Sequence, residues 1–389
     1  MDVHHGAKVD ACSPRLDHGC IGPRVAQGST DDILVTKPFH QTYESPGKMT
    51  IDAHAHYMPP ALLDMLEGEA RQLGVSFIKD VPACTCALHF DYGLKLRPFP
   101  GKLVEPVAAR LMGMDRQQVG RQVLSAWADA FGYGLPKDKS VAWHRRLNQA
   151  MAALVAEAPD RFSFLASVPL PHAAEAAEEL RFAMEQLGAV GAVLCTNVED
   201  VNLGDLPLDE FWAAATALDA GVLLHPAAPG QSVARAVRYG LMQIAQYTYD
   251  STLCIGSLIF SGVLDRFPAL RLLTCHGGGG YPYLSGRFDI MHARTDRKAM
   301  GNVAMQPPSH YLGRMYYDTI VHSPSILRFL ADEVGVERVV LGTDYSFPPA
   351  DEDPLDVLRR ARFSPGELGL ITDGNPRRLF PQLQGKREG

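Results

Sequence analysis

No stretch of this 389-residue sequence approaches the ~18–20 consecutive apolar residues that a membrane-spanning helix requires. An excess of positive charge is also missing, because 37 lysines and arginines stand against 44 aspartates and glutamates, for a net charge of −7. We therefore expect neither a membrane nor a nucleic acid as a partner. With 46% hydrophobic and 21% charged residues, the composition is that of a globular protein with a large core.

Cysteine is scarce and follows no recognisable pattern. The seven cysteines are odd in number, and Cys84 and Cys86 lack the second matching pair that a zinc knuckle requires. Cys195, Cys254 and Cys275 lie in apolar runs, where a reduced and buried thiol is the usual state. The cysteine usage therefore predicts a cytoplasmic location.

Residues 1–48 show no hydrophobic periodicity, and they lack the apolar core of a signal peptide. The composition changes sharply at Met49. The first 48 residues are therefore either a translated leader before the true start at Met49 or an arm that wraps a partner subunit. We expect three parts: an irregular N-terminal extension over 1–48, one globular unit over 49–382 and a short tail over 383–389.

From Thr50 onward, short β-rich runs alternate with amphipathic helical patterns. Eight strands in such an alternation predict an α/β fold in which a parallel sheet closes into a (β/α)8 TIM barrel. The alternative is an open doubly wound sheet, which needs a glycine-rich phosphate turn where this first strand ends in two histidines. The predicted strands are Ile51–His54, Gln122–Ala126, Phe162–Val168, Gly191–Thr196, Val222–His225, Leu270–Cys275, Met315–Ile320 and Val339–Gly342.

Residues 66–120 do not follow this alternation. Within Leu88–Pro106, the runs Asp91-Tyr92-Gly93 and Pro98-Phe99-Pro100-Gly101 are typical of turns. Long loops in compact domains are usually either functional lids or disordered. We expect an inserted flap or small subdomain after strand 1, above the C-terminal face of the barrel.

Polar side chains stand at the C-terminal ends of several predicted strands. His54 and His56 project from the same face of strand 1 because side chains alternate along a strand. His225 ends strand 5, and Asp344 follows strand 8. The C-terminal ends of barrel strands converge on one mouth, so these four residues predict a divalent-metal site with one position open for water.

His276 follows strand 6 and precedes the glycine run Gly277–Gly280. Its place at the same mouth makes it a candidate general acid or base. The glycines would allow the backbone to approach a ligand closely, and no lysine follows them as in a phosphate-binding loop. We expect His276 and Asp344 to serve the chemistry of the site.

Several motifs together resemble the amidohydrolase superfamily, in particular the branch typified by aminocarboxymuconate-semialdehyde decarboxylase. They occur in the family's order over residues 50–380. The motifs are Asp52-x-His54-x-His56, Val222-x-x-His225-Pro226, His276-Gly277-Gly278-Gly279-x-x-Pro282-x-x-x-Gly286-Arg287, Gly342-Thr343-Asp344-Tyr345 and Gly374-Asn375-Pro376.

The resemblance implies one divalent metal, zinc in most members and manganese in some, held by His54, His56, His225 and Asp344. It also implies that His276 handles the water or the proton. We therefore expect a zinc or manganese enzyme.

The resemblance further implies that Arg287 binds a substrate carboxylate, commonly in the site of a neighbouring subunit. We therefore expect a homodimer or homotetramer. Arg97 falls where the decarboxylase has a second carboxylate-binding arginine. Trp127 and Phe347 follow strands 2 and 8, where aromatic rings can flank an aromatic substrate.

Two activities fit these residues equally. The first is a non-oxidative decarboxylase of an aromatic or unsaturated carboxylic acid, and the second is a hydrolase that uses metal-bound hydroxide. Strand 4 has no lysine to carbamylate over residues 193–196, which speaks against the binuclear hydrolases. A binding protein without catalysis on the same barrel is a distant third.

Overall fold

Eight parallel strands form the central sheet in the computed structural model, which describes residues 49–80, 85–227, 235–347 and 350–384. The predicted extension over 1–48 and residues 385–389 of the predicted tail lie outside these ranges. In chain order the strands are β1 (Ile51–His56), β2 (Val75–Asp80), β3 (Thr85–Phe90), β4 (Arg121–Ser125), β5 (Phe162–Ser167), β6 (Gly191–Cys195), β7 (Asn197–Val198), β8 (Val201–Asn202), β9 (Gly221–His225), β10 (Arg271–Thr274), β11 (Tyr316–Asp318) and β12 (Val339–Val340).

The sheet order is β1-β4-β5-β6-β9-β10-β11-β12, and each strand pairs in parallel with the next. The last strand returns to the first, because Ala53 donates its backbone N–H to the carbonyl of Leu341 at 2.8 Å and Ala55 forms a parallel bridge with Tyr345. The predicted TIM barrel is therefore confirmed. Strands β1, β5, β6 and β9 are buried along their whole length, as expected where side chains fill the barrel and helices cover it.

Helices follow most barrel strands and surround the sheet. Several begin at proline, which suits the first turn because its missing N–H would have no partner there. Among the described residues, none of the helices is long and apolar enough to cross a membrane. The helices are α1 (Pro60–Leu73), α2 (Val107–Arg116), α3 (Lys137–Glu157), α4 (Ala173–Gln186), α5 (Asp209–Ala217), α6 (Tyr247–Phe260), α7 (Val263–Arg266), α8 (Tyr281–His292), α9 (Pro324–Val334), α10 (Pro354–Arg360), α11 (Pro365–Gly369) and α12 (Asn375–Leu379).

The segment between β1 and β4 has regular structure of its own. It holds α1, the antiparallel pair β2 and β3, and α2. Residues Leu94 to Pro100 run from this hairpin toward the barrel mouth, where Arg97 and Pro100 line a cleft. That the insertion acts as a flap stays a prediction.

A buried histidine on α3 makes the stability of the barrel sensitive to pH. His144 is fully buried, with the rings of Phe131 and Tyr133 each 5.8 Å from its own. Burial lowers the pKa of His144 to about 3, against a weaker opposing hydrogen bond at the Phe131 backbone. The folded chain therefore holds a neutral imidazole there, while the unfolded chain binds a proton below an ordinary pKa of ~6.5.

We predict that this histidine destabilises the fold progressively as the pH falls below ~6.5, by about 2 kcal/mol at pH ~5. Urea unfolding of the wild type and of His144→Leu, each above pH ~6.5 and at pH ~5, measures how much free energy of unfolding each protein loses on acidification. The wild type should lose about 2 kcal/mol more than the variant on acidification. His310→Leu, at an exposed position, should follow the wild type. Equal losses in the wild type and His144→Leu would contradict the prediction.

Candidate metal centre and active site

Four metal-ligating side chains meet at the mouth of the barrel. His54 and His56 come from β1, His225 from the end of β9, and Asp344 from the turn after β12. One ligand atom from each lies within 4.8 Å of those of the other three, and all four residues are buried. His56 Nε2 lies 3.0 Å from both His54 Nε2 and Asp344 Oδ1. The structure thus brings together the four ligands that the sequence predicts.

In each imidazole, the ring nitrogen that points away from the other ligands is Nδ1, and it lies close to a hydrogen-bonding group. His54 Nδ1 lies 2.8 Å from a carboxylate oxygen of Asp318, and His56 Nδ1 lies 2.9 Å from the hydroxyl of Ser125. Such contacts fix the tautomer, so that the Nε2 lone pairs of the two rings face each other.

The third imidazole follows the same arrangement. His225 Nδ1 lies 2.6 Å from the carbonyl oxygen of Pro226, which makes Nδ1 the donor. Its Nε2 is buried and has no hydrogen-bond partner among the described residues. Three inward Nε2 lone pairs and one carboxylate oxygen form a donor set that fits a divalent ion.

The protonation states of these ligands also suit metal binding. Burial, followed by the neighbouring His56 and His54, lowers the pKa of His225 well below its ordinary value. Burial alone would raise the pKa of Asp344, but the imidazoles of His276 and His56 hold it well below its usual range. Neutral imidazole and ionised carboxylate are the forms that bind metal.

His276 stands beside this group and opens onto the cleft. Its Nε2 lies 3.6 Å from Asp344 Oδ2, and its Nδ1 lies 3.4 Å from the thiol of Cys275. Burial would lower the pKa of His276, but Cys275 and Asp344 outweigh it and raise that pKa well above its ordinary value. Both His276 and Asp344 have left-handed backbone, with φ of 53° and 54°. Non-glycine residues adopt this strained conformation rarely, and mainly where the surrounding structure imposes it.

The glycine run after His276 has a structural reason that differs from the expected approach to a ligand. Gly279 has a φ of 61°, and a Cβ there would collide with the carbonyl oxygen of Thr248 on α6. Gly277 has the same φ and donates its N–H to Asp318 at 2.9 Å. The glycines therefore let the turn after β10 pack against α6 and β11.

Asp318, at the end of β11, is a site residue that the sequence analysis missed. It is fully buried and accepts hydrogen bonds from the backbone N–H groups of His276 and Gly277, besides its contact with His54. Burial opposes ionisation, yet the contact with His54 is decisive and lowers the pKa of Asp318. The available signal was an acidic residue within the predicted strand Met315–Ile320, at the same barrel end as the other ligands.

A cleft of about 440 Å³ opens over these residues, within the ~300–1,000 Å³ range of small-molecule sites. Trp127 and Phe347 line it, with ring centroids 5.8 Å apart and planes inclined by 41°. Both predicted aromatic residues therefore lie in the cleft. The residues on its wall include Arg97, Pro100, Trp127, Asp129, His225, Gln243, Tyr247, His276, His322, Asp344 and Phe347.

The two predicted carboxylate-binding arginines lie in different places. Arg97 is in the cleft, where it pairs with Asp129 at 3.2 Å and lies 4.9 Å from the Trp127 ring. Arg287 is exposed on α8 and is not among the described residues that line the cleft of its own chain. Asp129 and Tyr247 were missed, because a single acid and a single tyrosine outside the strand ends give no local signal.

Comparisons with known proteins agree with this geometry. The chain is 32% identical over 330 residues to 2-amino-3-carboxymuconate-6-semialdehyde decarboxylase of Dictyostelium discoideum, which covers 84% of this chain and 90% of that protein. It is 27% identical over 362 residues to the 6-methylsalicylic acid decarboxylase of Aspergillus aculeatus, covering 86% of this chain and 97% of that protein.

A solved structure shares the fold. The dihydroxybenzoic acid decarboxylase of a Polaromonas species, determined with bound manganese and the inhibitor 2-nitroresorcinol, superimposes with a TM-score of 0.67 at 23% identity, covering 86% of this chain and 97% of that one. A family model described as amidohydrolase matches residues 51–382. Because the family model matches nearly all of the barrel and the Dictyostelium relative is 32% identical, the chain belongs to the amidohydrolase family.

Proposed function

We propose that this protein is a metal-dependent, non-oxidative decarboxylase of an aromatic or unsaturated carboxylic acid. The observation that carries the proposal is the buried group His54, His56, His225 and Asp344 at the base of a cleft that also contains His276. The two curated relatives described above, which match the chain over most of its length, are decarboxylases, and this supports decarboxylation over the hydrolase alternative.

We propose that these three histidines and Asp344 hold one divalent ion. Such an ion, when bound, polarises and orients substrate oxygens as a Lewis acid. We keep zinc as the expected ion because three imidazoles and one carboxylate suit it. Manganese, which the Polaromonas structure contains, is the alternative.

In this proposal His276 supplies the proton of the reaction. The proton goes to the carbon that bears the carboxylate, the bond between that carbon and the carboxylate then breaks, and its electron pair restores the unsaturated system as CO₂ leaves. In the net change the carboxylate is replaced by the transferred proton and leaves as CO₂, so that neither an oxidant nor a reductant is needed. Asp344, with Oδ2 3.6 Å from His276 Nε2, favours the protonated imidazole before the transfer.

The aromatic walls of the cleft suit a planar substrate. Trp127 and Phe347 present rings to the same space, and Phe347 also contacts the ring of His56, 5.1 Å away. Offset and edge-on contacts of this kind are favourable for an aromatic or conjugated acid. We propose that these two rings position the plane of the substrate above the candidate metal ligands.

We further propose a homodimer or homotetramer in which Arg287 reaches a neighbour's cleft. Arg287 lies among exposed apolar side chains of the same helix, since Tyr283 and Ile290 are 81% and 71% exposed. Tyr249 and Leu253 on the adjoining α6 are also exposed. Apolar surface of this extent supports a protein interface.

Two other expectations stand as proposals. The globular unit spans 49–382, which agrees with the limits of the family match at 51–382. A cytoplasmic location is supported by the free thiols of Cys86, Cys195, Cys254 and Cys275, since disulfides are rare in that compartment.

The first prediction from the proposed function separates the metal ligands from the proton donor. His225→Ala should lose most bound metal because a four-ligand site loses one ligand. His276→Ala should keep its metal, and its turnover should be slower by a factor of ~10²–10⁴. Metal content by elemental analysis and CO₂ release from a panel of aromatic acids measure the two effects. His310→Ala, at an exposed position, is the control and should change neither.

Two results would count against these assignments. Full turnover of His276→Ala with unchanged metal content would remove the role of His276. Cleavage of esters or amides without CO₂ release from any acid would favour the hydrolase.

A second prediction concerns the carboxylate behind the metal group. Asp318→Asn keeps the size of the side chain but weakens its hold on His54 Nδ1 and on the turn at His276. Metal affinity should fall about 10–100-fold, as for other residues that orient a ligand. Competition with a fluorescent chelator measures the affinity, and unchanged affinity in a folded variant would contradict the positioning role.

A third prediction tests the shared site. Arg287→Ala should raise KM for an acidic substrate about tenfold or more, and Arg287→Lys should restore only part of it, because an ammonium lacks the bidentate fork. Arg360→Ala, at an exposed position on α10, is the matched control. Sedimentation velocity should show a dimer or tetramer, so a fully active monomer would exclude a shared site.

A further inference from the structure

One wall of the cleft carries a pair of opposite charges beside the aromatic ring of Trp127. Arg97 Nη1 lies 3.2 Å from Asp129 Oδ2, and the guanidinium lies 4.9 Å from the centre of the Trp127 ring. Tyr247 hydrogen-bonds the same arginine and is almost fully buried. We name Arg97, Trp127, Asp129 and Tyr247 the polar wall.

The charge of Arg97 is therefore compensated within the protein. The Asp129 side chain is 3% exposed and that of Arg97 is 37% exposed, so the carboxylate is the more deeply placed partner and the guanidinium faces the cleft. Burial works against the charge on Arg97, but Asp129 and Tyr247 outweigh it and raise the pKa of the guanidinium. Burial, with Asp129 next, raises the pKa of Tyr247 to about 12, so that its phenol stays a hydrogen-bond donor.

If a substrate carried a second carboxylate, that group would bind unfavourably at the polar wall. The guanidinium of Arg97 is already paired with Asp129, which also lines the cleft, so a second carboxylate gains little from Arg97 and is repelled by the Asp129 carboxylate. A hydroxyl or amino group carries no such penalty. It can donate a hydrogen bond to a carboxylate and accept one from a guanidinium or a phenol.

We infer that the polar wall selects a monocarboxylic acid that carries a hydroxyl or amino substituent, and that it disfavours a second carboxylate. The inference rests on the proposed function for the place of the reacting carboxylate, which lies with the candidate metal ligands. It changes the expected role of Arg97, which becomes one half of a neutral recognition element together with Asp129. A hydroxyl or amino group can hydrogen-bond with both members of the pair, whereas a second carboxylate is repelled by Asp129, so both halves contribute to selectivity.

Binding measurements on the metal-loaded protein test the inference. The probes are benzoate, 3-hydroxybenzoate and benzene-1,3-dicarboxylate, with the corresponding 2-substituted acids as a second set, and isothermal titration calorimetry gives Kd for each. We expect the hydroxy acid to bind more tightly than benzoate, and benzoate more tightly than the diacid. The hydroxy acid and the diacid should differ about tenfold or more in at least one set.

Asp129→Asn removes the negative charge and keeps the shape of the side chain. Its preference for the hydroxy acid over the diacid should shrink about tenfold or more, because the neutral amide no longer repels a second carboxylate. Asp219→Asn is the matched control, since Asp219 also pairs with an arginine, Arg271 at 3.0 Å, but precedes β9 at the opposite end of the barrel. It should keep the wild-type ratio.

Each result decides the question. Tighter binding of the diacid than of the hydroxy acid by the wild type, in both sets, overturns the inference without any variant. An unchanged ratio in Asp129→Asn with normal metal content overturns the part assigned to Asp129. Because Kd needs no turnover, the expected order without CO₂ release from any acid would reject the decarboxylase and still support the selectivity of the polar wall.

Discussion

The contact between Asp318 and its neighbours links three barrel strands at the point where the chemistry is placed. One carboxylate binds the ring of His54 on β1 and two successive backbone N–H groups after β10, while it stands itself on β11. A buried carboxylate is stable only when its lone pairs are satisfied, and here they are satisfied by the groups that must be held still. The orientation of His54 and the turn that presents His276 therefore depend on a single side chain.

The mouth of the barrel would be an unfavourable place for its polar groups without a further positive charge. Three imidazole nitrogens face one another and a carboxylate oxygen, and His225 Nε2 has no hydrogen-bond partner among the described residues. The left-handed backbone at His276 and Asp344 adds strain at the same location. Such an arrangement is expected where folding is constrained by binding rather than by stability alone.

The sequence predicted the parts of this site that depend on local rules. His54 and His56 follow from the alternation of side chains along β1, and His225 and Asp344 follow from the rule that barrel strands end at one mouth. Each predicted strand bound lies within two residues of the observed one. Strands β11 and β12 are shorter than predicted because the outer residues of the two predictions are not part of the ladder between these strands.

Other features could not be predicted because they depend on contacts distant in sequence. The pairing of Arg97 with Asp129 joins the insertion to the turn after β4, and no sequence periodicity or motif predicts this contact. The break between α6 and α7 differs from this pair, because it has a local signal in the sequence: Gly262 lies between the two helices and adopts a φ of 75°.

The position of Arg97 on the chain has a consequence for how such a protein can diversify. The candidate metal ligands stand on or directly after barrel strands, whose burial leaves little freedom to vary. Arg97 instead follows the hairpin of β2 and β3, a two-stranded unit that pairs only with itself in the described sheets. One member of the proposed recognition element is thus carried by a unit separate from the barrel strands, so a change in the hairpin and its following loop can replace Arg97 while the candidate metal ligands stay unchanged.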